Sequence, residues 1–318
     1  MRAEAATLAL HSPAVSVLTG LVPVFLMVAV GAIAHRLRVL DDATANGLNR
    51  IVTNLALPAL FISTVGTAPL ESAFSPRLIA VTAAATVVIT GISLALASLW
   101  RLPPSHRGVL AQGAQRGNIV YFTFPIILAI YGHPGLQLAA VTSTILIPVM
   151  NLLAVGALEH YRAERKGNVR FLLRVLANPL VSSALLGLVL AALHWQPWAW
   201  LDNLLKTLAA MAFPCALLAL GAQLGVGQLR SMRRTLAAVG VLKLVAMPAI
   251  AWWLLHLLHA PNQETAIGVL LMASPTAVAS HSVAADLGGD PELASACVLV
   301  TTLASVATYA AWSFLVAG

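Results

Sequence analysis

The chain has 318 residues, of which 59% are hydrophobic and only 9% charged, and its formal net charge is +7. Because a soluble domain carries roughly a quarter charged residues, we predict an all-α integral membrane protein, and the polar stretch 159–170 is too short for a separate soluble domain that could carry catalysis or regulation. Both cysteines lie in apolar segments, so they indicate neither a disulfide framework nor a metal site, and we expect no cofactor.

Ten apolar segments of about twenty residues are long enough to cross a bilayer as helices. We number these predicted transmembrane spans 1 to 10 in chain order: 15–34, 45–67, 78–100, 108–131, 136–158, 171–195, 200–224, 235–258, 264–285 and 293–316. Since ten is an even number, both termini are expected on the same side of the membrane.

The distribution of lysines and arginines predicts which side that is. Twelve of them follow odd-numbered spans, from Arg36 to Arg234, whereas the opposite side has only Arg2, Arg77 and Lys206. Cytoplasmic loops are enriched in these residues, so we predict a multi-pass protein of the cell inner (plasma) membrane with both termini outside the cytoplasm. The same rule explains the positive net charge without a nucleic-acid partner.

Prolines and glycines recur at a fixed offset, which indicates an internal repeat. Three pairs are 156 positions apart, and a fourth pair, in spans 4 and 9, is 150 apart: Pro23 and Pro179, Gly31 and Gly187, Pro58 and Pro214, and Pro125 and Pro275. The predicted repeats are residues 1–158 and 159–318. Because each contains five spans, an odd number, the two halves must be inverted relative to one another.

Span 4 is interrupted by Gly117, Asn118 and Pro125, with Arg116 just before the break. A proline removes one helical hydrogen bond, so we predict that Pro125 frees the carbonyl of Tyr121. Broken backbone at membrane depth is tolerated only where protein or a water-filled cavity supplies hydrogen-bond partners. The break therefore predicts a binding site.

Span 9 contains the matching break. We predict that Ser274 caps a second half-helix and that Pro275 is its first residue. Pro275 would also free the carbonyl of Leu271, and Ser274, Pro275 and Thr276 are candidate substrate-binding residues. Proline-interrupted helices at matching positions of inverted repeats are typical of the midplane site of a secondary transporter. Two half-helix N-termini pointing at the crossing would favour an anion there.

Two cations and an amide are candidates for this site. Arg116 either attracts the substrate or extends its charged end to the membrane interface. Lys243 is expected at the crossing, where it either contacts the substrate or holds freed carbonyls. Asn118 has both donors and an acceptor to offer a ligand, and the alternative for it is helix–helix hydrogen bonding.

Three further polar side chains could reach the same site. Gln115 shares a helix face with Gln112, and packing is the alternative role for this pair. His281, after the break in span 9, is either a proton carrier or a neutral histidine that satisfies a neighbour. Gln223 could face the pocket from span 7.

Several motifs resemble those of the auxin efflux carrier family, which includes the plant PIN auxin exporters and many bacterial permeases often assigned to malonate or malate. The resemblance covers nearly the whole chain and is carried by GLNRIVTNLALPALF (47–61), GNIVYFTFPIILAIYG (117–132), VLANPLVSSALLGLVL (175–190), AFPCALLALGAQL (212–224) and ASPTAVASHSVAADLGGD (273–290). It implies a transporter of a small carboxylate, such as malonate, malate or an auxin-like acid.

The resemblance also implies an architecture. Spans 1, 2, 6 and 7 would form a scaffold, with a homodimer through spans 2 and 7, and spans 3–5 and 8–10 would form a transport domain whose crossing carries the substrate. On this analogy Asn118 takes the family's asparagine position, and Leu57 lines the pocket from the scaffold. Val120 and Thr123 stand where the family has glycines, and span 3 lacks the aspartate of PIN proteins, so a coupling role for that aspartate cannot be transferred.

Other classes of function fit the residues less well. A sodium- or proton-coupled antiporter or symporter on a bile-acid-symporter-like fold of crossed helices is the alternative, but it would require an acidic relay that the spans lack. An intramembrane aspartyl protease would require a second intramembrane aspartate, and a primary pump would require a phosphate-binding loop. Intramembrane cations without matching acids instead favour an organic anion. We therefore predict a secondary transporter in the lipid bilayer and not an enzyme.

Overall fold

The computed structural model describes residues 13–161, 179–223 and 232–317, and every regular element in these ranges is helical. The α-helices in chain order are α1 Pro13–Arg36, α2 Asp42–Ile51, α3 Leu57–Gly66, α4 Leu70–Ala73, α5 Pro76–Leu99, α6 Pro104–Gln115, α7 Phe124–His160, α8 Pro179–Ala192, α9 Ala199–Ala210, α10 Ala212–Ala222, α11 Arg233–Val241, α12 Met247–Leu257, α13 Asn262–Ala273, α14 Ser280–Asp286 and α15 Pro291–Ala317. Three π-helical segments interrupt them: Val52–Ala56, Ile119–Thr123 and Leu242–Ala246.

Six helical stretches in the described ranges are long and apolar enough to cross a membrane: Asp42–Gly66, Leu70–Leu99, Ile119–His160, Ala199–Ala222, Arg233–Leu257 and Pro291–Val316. Two shorter apolar helices, Gly20–Arg36 and Pro179–Ala192, accompany them. The predicted class, an all-helical membrane protein, is confirmed. The six stretches differ from the ten predicted spans partly because Ile119–His160 combines the end of span 4 with span 5, and because span 9 is divided between α13 and α14.

Boundaries agree best where a span is a single apolar helix. Predicted spans 2, 3, 8 and 10 begin and end within three residues of the helical stretches 42–66, 76–99, 233–257 and 291–317. Residues 171–178 of span 6, residue 224 of span 7, and the loop cations at 162–174 and 230 lie outside the described residues.

Spans 4 and 5 meet at a sharp kink within α7. Gly132 has φ 63° and ψ −163° there, a conformation that glycine adopts readily and other residues adopt at a cost. The kink therefore lies at a position that favours glycine.

Side-chain caps fix the starts of two helices. Asp41 accepts a 2.7 Å hydrogen bond from the Thr44 amide at the start of α2, and Thr44, through its side chain and its amide, holds the pKa of Asp41 below its usual range. Ser75 accepts a 3.1 Å bond from the Leu78 amide at the start of α5. The Ser75 hydroxyl also donates to Glu264 at 2.9 Å, which ties α5 to α13.

Each π-helical segment ends two residues before a proline, namely Pro58, Pro125 or Pro248. A proline cannot donate the helical hydrogen bond, and its ring collides with the carbonyl four residues earlier. A wider π turn immediately before the proline relieves that collision, so these helices continue through their prolines. Such turns occur frequently at functional sites.

The hydroxyl groups buried along α5 are satisfied within the helix. Thr82, Thr86, Thr90 and Ser93 each donate to the carbonyl four residues earlier, at 2.7 to 2.8 Å. All four of these buried hydroxyl groups therefore have a hydrogen-bond partner within the helix.

Two glycines bring α1 and α10 into backbone contact. A methyl group at Gly31 would overlap the Leu218 carbonyl oxygen, and one at Gly221 would overlap that of Val28. Small residues at helix crossings allow this close approach in membranes. A similar contact joins α8 to α3, where a methyl group on Gly187 would lie 3.0 Å from the Phe61 oxygen.

Candidate functional site

The break in span 4 lies at residues 116–118. Helix α6 ends at Gln115, Arg116 is extended with φ −83° and ψ 102°, and the π-helical segment begins at Ile119. Pro125 lies in the first turn of α7, so the expectation that it forms part of the break is wrong. The π turn before Pro125 absorbs its effect, and the backbone leaves the helix seven residues earlier, at Asn118.

The break in span 9 covers residues 274–279, between α13 and α14. The second half-helix begins at Ser280, so the prediction that it begins at Pro275 is wrong. Ser274 instead ends the first half-helix, and its hydroxyl donates at 2.9 Å to the carbonyl of Leu271. That is the carbonyl that Pro275 leaves without a helical donor.

The two breaks lie against each other and exchange backbone hydrogen bonds. The Asn118 amide donates to the Pro275 oxygen at 2.7 Å, and the Ala277 amide donates to the Arg116 oxygen at 2.9 Å. Gly117 and Thr276 thus form an antiparallel bridge. Buried backbone groups must be paired. This exchange of hydrogen bonds therefore explains how both helices can be interrupted where they meet.

Side chains around the bridge complete the pairing. The Thr276 hydroxyl donates to the Gly113 oxygen at 2.8 Å, and the Thr276 amide donates to the Thr301 hydroxyl at 3.0 Å. The amide group of Gln112 donates to the Ser280 oxygen at 2.8 Å. A methyl group at Gly117 would overlap the Ser274 hydroxyl, so the crossing requires glycine at position 117.

Lys243 lies behind the crossing, in the π-helical segment Leu242–Ala246, and is completely buried. Its ammonium donates at 2.9 Å to the oxygen of Met272, in the last turn of α13, and contacts the Met247 sulfur at 3.2 Å. A cation at a helix C-terminus interacts favourably with the partial negative charge there. Of the two roles considered for Lys243, the geometry is that of a residue holding a freed carbonyl.

A cavity of about 760 Å³ lies in front of the crossing. Five of the predicted site residues line it: Leu57, Arg116, Asn118, Gln223 and His281. Gln115, Pro125, Ser274, Pro275, Thr276 and Lys243 do not line it, since they are occupied in the helices and in the bridge behind it. Gln115, for example, donates at 2.9 Å to the oxygen of Met150.

Arg116 and Asn118 line this cavity, and each side chain has a buried hydrogen-bond donor that is unused. Nη1 of Arg116 and Nδ2 of Asn118 are buried and have no partner among the described residues, and Asn118 is only 6% exposed. The ion pairs within these residues do not involve Arg116. A cationic donor beside a neutral donor fits a carboxylate oxygen pair.

The wall formed by α2 and its π-helical extension was not predicted. Asn46, Asn49 and Thr53 line the cavity with Leu57, and their spacing of three or four residues is that of one helix face. This polar stripe in span 2 is visible in the sequence and could have been found by its period. Thr53 also lies 3.2 Å from the hydroxyl of Tyr121, so the stripe reaches the opposite wall.

His281 lies at the edge of the cavity and contacts α15. Its Nδ1 lies 2.8 Å from the Ser295 hydroxyl and 3.2 Å from the Pro291 oxygen. The Ser295 hydroxyl itself donates to the Pro291 oxygen at 3.0 Å. His281 is therefore tied to the first turn of α15 through Nδ1.

The fold and the crossed breaks are those of a membrane transport protein, and the comparisons with known proteins agree. The profile of the family described as "Membrane transport protein" matches residues 16–313. The chain belongs to this family, the auxin efflux carrier family that the sequence motifs indicated. The family therefore indicates a role in transport across a membrane.

Two relatives are similar over nearly their whole length. One is named "Putative malonate transporter", from Rhizobium meliloti (strain 1021), and is 30% identical over 94% of this chain and 96% of its own. The other is named "Uncharacterized transporter", from Methanothermobacter thermautotrophicus (strain Delta H), and is 26% identical over 91% of this chain and 95% of its own.

Proposed function

We propose that this protein is a secondary transporter that moves a small organic anion by alternating access, with the anion bound at the crossing of the two breaks. The observation that carries the proposal is the pair of unpartnered donors on Arg116 and Asn118, two neighbouring residues that line the cavity. A buried cation without an acid is costly in a membrane, and it is retained where it serves a substrate. A carboxylate would satisfy both side chains.

Alternating access would use two inverted repeats, residues 1–158 and 159–318, each with five spans. The glycine contacts support this arrangement, since Gly31 packs on Leu218 and Gly187 packs on Phe61. The two contacts are related by the repeat offset of 156: Gly187 corresponds to Gly31, and Phe61 corresponds to position 217, one residue before Leu218. We further propose that spans 1, 2, 6 and 7 form a scaffold against which spans 3–5 and 8–10 move.

The orientation follows from the cavity and the charges. His35 and Asp42, on either side of the turn between α1 and α2, line the cavity. The positive-inside rule assigns that turn to the cytoplasm, which supports our proposal of an inward-facing state with both termini outside the cytoplasm. The alternative is a sodium- or proton-coupled antiporter or symporter on a bile-acid-symporter-like fold, and it would need an acidic relay.

A homodimer through spans 2 and 7 is proposed as the assembled form in the inner membrane. Apolar side chains are exposed on both spans, including Ile51 and Leu55 on span 2 and Trp200 and Leu204 on span 7. Such a surface can be covered by lipid or by a second copy. Crosslinking in membranes distinguishes these two cases.

The proposed function is tested by counterflow in proteoliposomes with a panel of monocarboxylates, dicarboxylates and indole acids. We expect Asn118→Ala to reduce transport of the best substrate about tenfold, because the variant loses a buried hydrogen bond to a charged group. Asn262→Ala removes an amide outside the cavity and should transport normally. Cation exchange that persists without any organic anion would contradict the proposal, as would undiminished transport by Asn118→Ala.

Lys243 is expected to strengthen anion binding from behind the bridge. Its ammonium would lie 3.1 Å from a methyl group on Gly117, so its charge acts on the position proposed for the carboxylate. Lys243→Met keeps the length of the side chain, removes the charge, and should weaken anion affinity about tenfold. Lys243→Arg retains the charge and serves as the control. Unaltered affinity in Lys243→Met would limit Lys243 to holding the Met272 carbonyl.

A further inference from the structure

We propose that an aromatic cluster, formed by Phe25, Phe61, Phe122, Phe124 and Tyr309, is the gate that seals the binding site from the outer face of the membrane and opens in each transport cycle. This inference rests on the proposed function, because it uses the proposed division into a stationary scaffold and a moving transport domain. It adds the residues that close the side of the crossing opposite to the cavity.

The first step is the position of the aromatic cluster along spans 2 and 4. None of its members is among the described residues that line the cavity. Phe61 lies about one helical turn beyond Leu57, the last lining residue of span 2, and Phe122 directly follows Tyr121, the last lining residue of span 4. Both spans run from the cytoplasmic face to the outer face in the proposed orientation. Their aromatic residues therefore lie on the outer side of the cavity.

Helices α1 and α15 give the same order. Phe25 precedes His35, the lining residue of α1, by about 15 Å of helix at 1.5 Å per residue, and α1 runs toward the cytoplasm. Tyr309 follows Val298, the last lining residue of α15, by about 16 Å on the same measure, and α15 runs outward. Four spans thus place aromatic side chains on one side of the cavity.

The second step is which rings are in contact. The ring centroids of Phe25 and Phe122 are 5.3 Å apart, with the rings edge to face at 72°, and those of Phe61 and Phe124 are 5.9 Å apart. Phe25 and Phe61 lie in spans 1 and 2 of the proposed scaffold, whereas Phe122 and Phe124 follow the break in span 4 of the proposed transport domain. Both contacts cross the boundary between these parts, so movement of the transport domain must separate them.

Tyr309 ties Phe122 to the moving part. The two rings pack edge to face with centroids 5.4 Å apart, and the Tyr309 hydroxyl donates at 3.0 Å to the oxygen of Leu270 in α13. Span 4 is thereby joined to spans 9 and 10 beyond the crossing. When the crossing moves, Phe122 is therefore carried away from Phe25.

The third step is how tightly the aromatic cluster is packed. Phe61, Phe122, Phe124 and Tyr309 are completely buried, and Phe25 packs against the same apolar core. A carboxylate cannot pass such a barrier without losing its water, which is costly for a charged group. The aromatic cluster in its closed form therefore excludes the proposed substrate from the outer side.

The inference is tested by labelling a cysteine beside the crossing. Val278→Cys, at a half-buried position that lines the cavity, is introduced after Cys215 and Cys297 have been replaced by alanine. A membrane-impermeant maleimide is applied to each face in turn, using right-side-out and inverted vesicles. We expect fast labelling from the face onto which the cavity opens and slow labelling from the other face.

Phe25→Ala, added to this parent protein, removes a ring contact that exists only while the gate is closed. Labelling from the slow face should accelerate about three- to tenfold, because the closed state loses an aromatic pair. Phe25→Leu keeps much of the apolar bulk and should accelerate labelling less. Phe314→Ala replaces a phenylalanine of α15 that is 43% exposed, and this control should label like the parent protein. Unchanged labelling from the slow face in a stably folded Phe25→Ala protein overturns the inference.

A crosslink tests the gate without weakening its packing. Phe25→Cys and Phe122→Cys are combined in the cysteine-free background and joined with a short, cleavable bifunctional thiol reagent. We expect the link to stop transport of the best substrate and its cleavage to restore transport. Transport at an undiminished rate in the linked protein overturns the inference, since the two positions would then not need to separate.

Failure of the inference can be told apart from failure of the proposed function, because labelling requires no known substrate. If Phe25→Ala labels like the parent protein while organic anions of the panel are transported, the gate is assigned wrongly and the proposed function stands. If Phe25→Ala accelerates labelling but no anion of the panel is bound or transported, the gate stands and the proposed function fails.

Discussion

Replacing Arg116 by glutamine is expected to weaken the apparent affinity for the transported anion by at least about thirtyfold, since removing one partner of a desolvated charge pair costs 2 kcal/mol or more. Arg116 is the lining cation nearest the bridge, and its Nη1 has no protein partner among the described residues. The measurement is concentration-dependent counterflow in proteoliposomes. Because none of the ion pairs within the described ranges involves Arg116, the variant should be produced in normal amounts.

Arg50 provides a matched control for this experiment. It is an exposed arginine on α2 that does not line the cavity, and Arg50→Gln should transport normally. Arg116→Lys keeps the positive charge but lacks the planar guanidinium group, so its affinity for the anion should lie between those of the wild-type protein and Arg116→Gln. If Arg116→Gln transports with unchanged affinity, the carboxylate does not bind at the crossing.

Alanine at Gly31 or Gly221 should produce the largest loss of stability. Either methyl group would overlap a backbone oxygen of the facing helix, and neither backbone can yield without separating α1 from α10. Overpacking of this kind costs about 3 kcal/mol, which should lower the midpoint of thermal unfolding by several degrees. Tryptophan fluorescence of the purified protein in detergent can follow the transition.

Two other glycines serve as controls. A methyl group at Gly91 or Gly156 would meet no atom within 4 Å. Since glycine within a helix is less favourable than alanine by about 0.5 to 1 kcal/mol, Gly91→Ala and Gly156→Ala should be neutral or slightly stabilising. Equal stability of all four variants would mean that α1 and α10 are farther apart than the structure has them.

The sequence predicts the helical class, most boundaries and the two broken spans, because apolar length and prolines are local signals. Gly117, Asn118 and Pro275, which were predicted as interruptions, lie within the observed breaks at 116–118 and 274–279. Two details differ: Pro125 lies in the first turn of α7, after a π turn, and the second half-helix of span 9 begins at Ser280 rather than at Pro275. Whether a proline breaks a helix depends on the partner available to each freed carbonyl, which for Leu271 is the Ser274 hydroxyl. The open amides of Asn118 and Ala277 are paired by the other repeat, which no local pattern predicts.

The candidate site could be predicted only in part. Arg116, Asn118 and His281 stand out as polar residues beside breaks, and all three line the cavity. Lys243 is equally conspicuous, yet its ammonium points to Met272 behind the bridge, a direction that depends on how α13 packs. Asn49 and Thr53 were missed because a polar stripe in an amphipathic helix usually faces water.

The hydrogen bond between Thr53 and Tyr121 has a kinetic consequence for the proposed cycle. Thr53 would belong to the stationary part and Tyr121 to the moving part, and their hydroxyl oxygens are 3.2 Å apart. Each turnover must break this bond before the site can open to the other face, which adds about 1 kcal/mol to the barrier. The bond thus acts as a weak latch that slows the empty carrier more than the loaded one, provided that the bound substrate competes for the same hydroxyls.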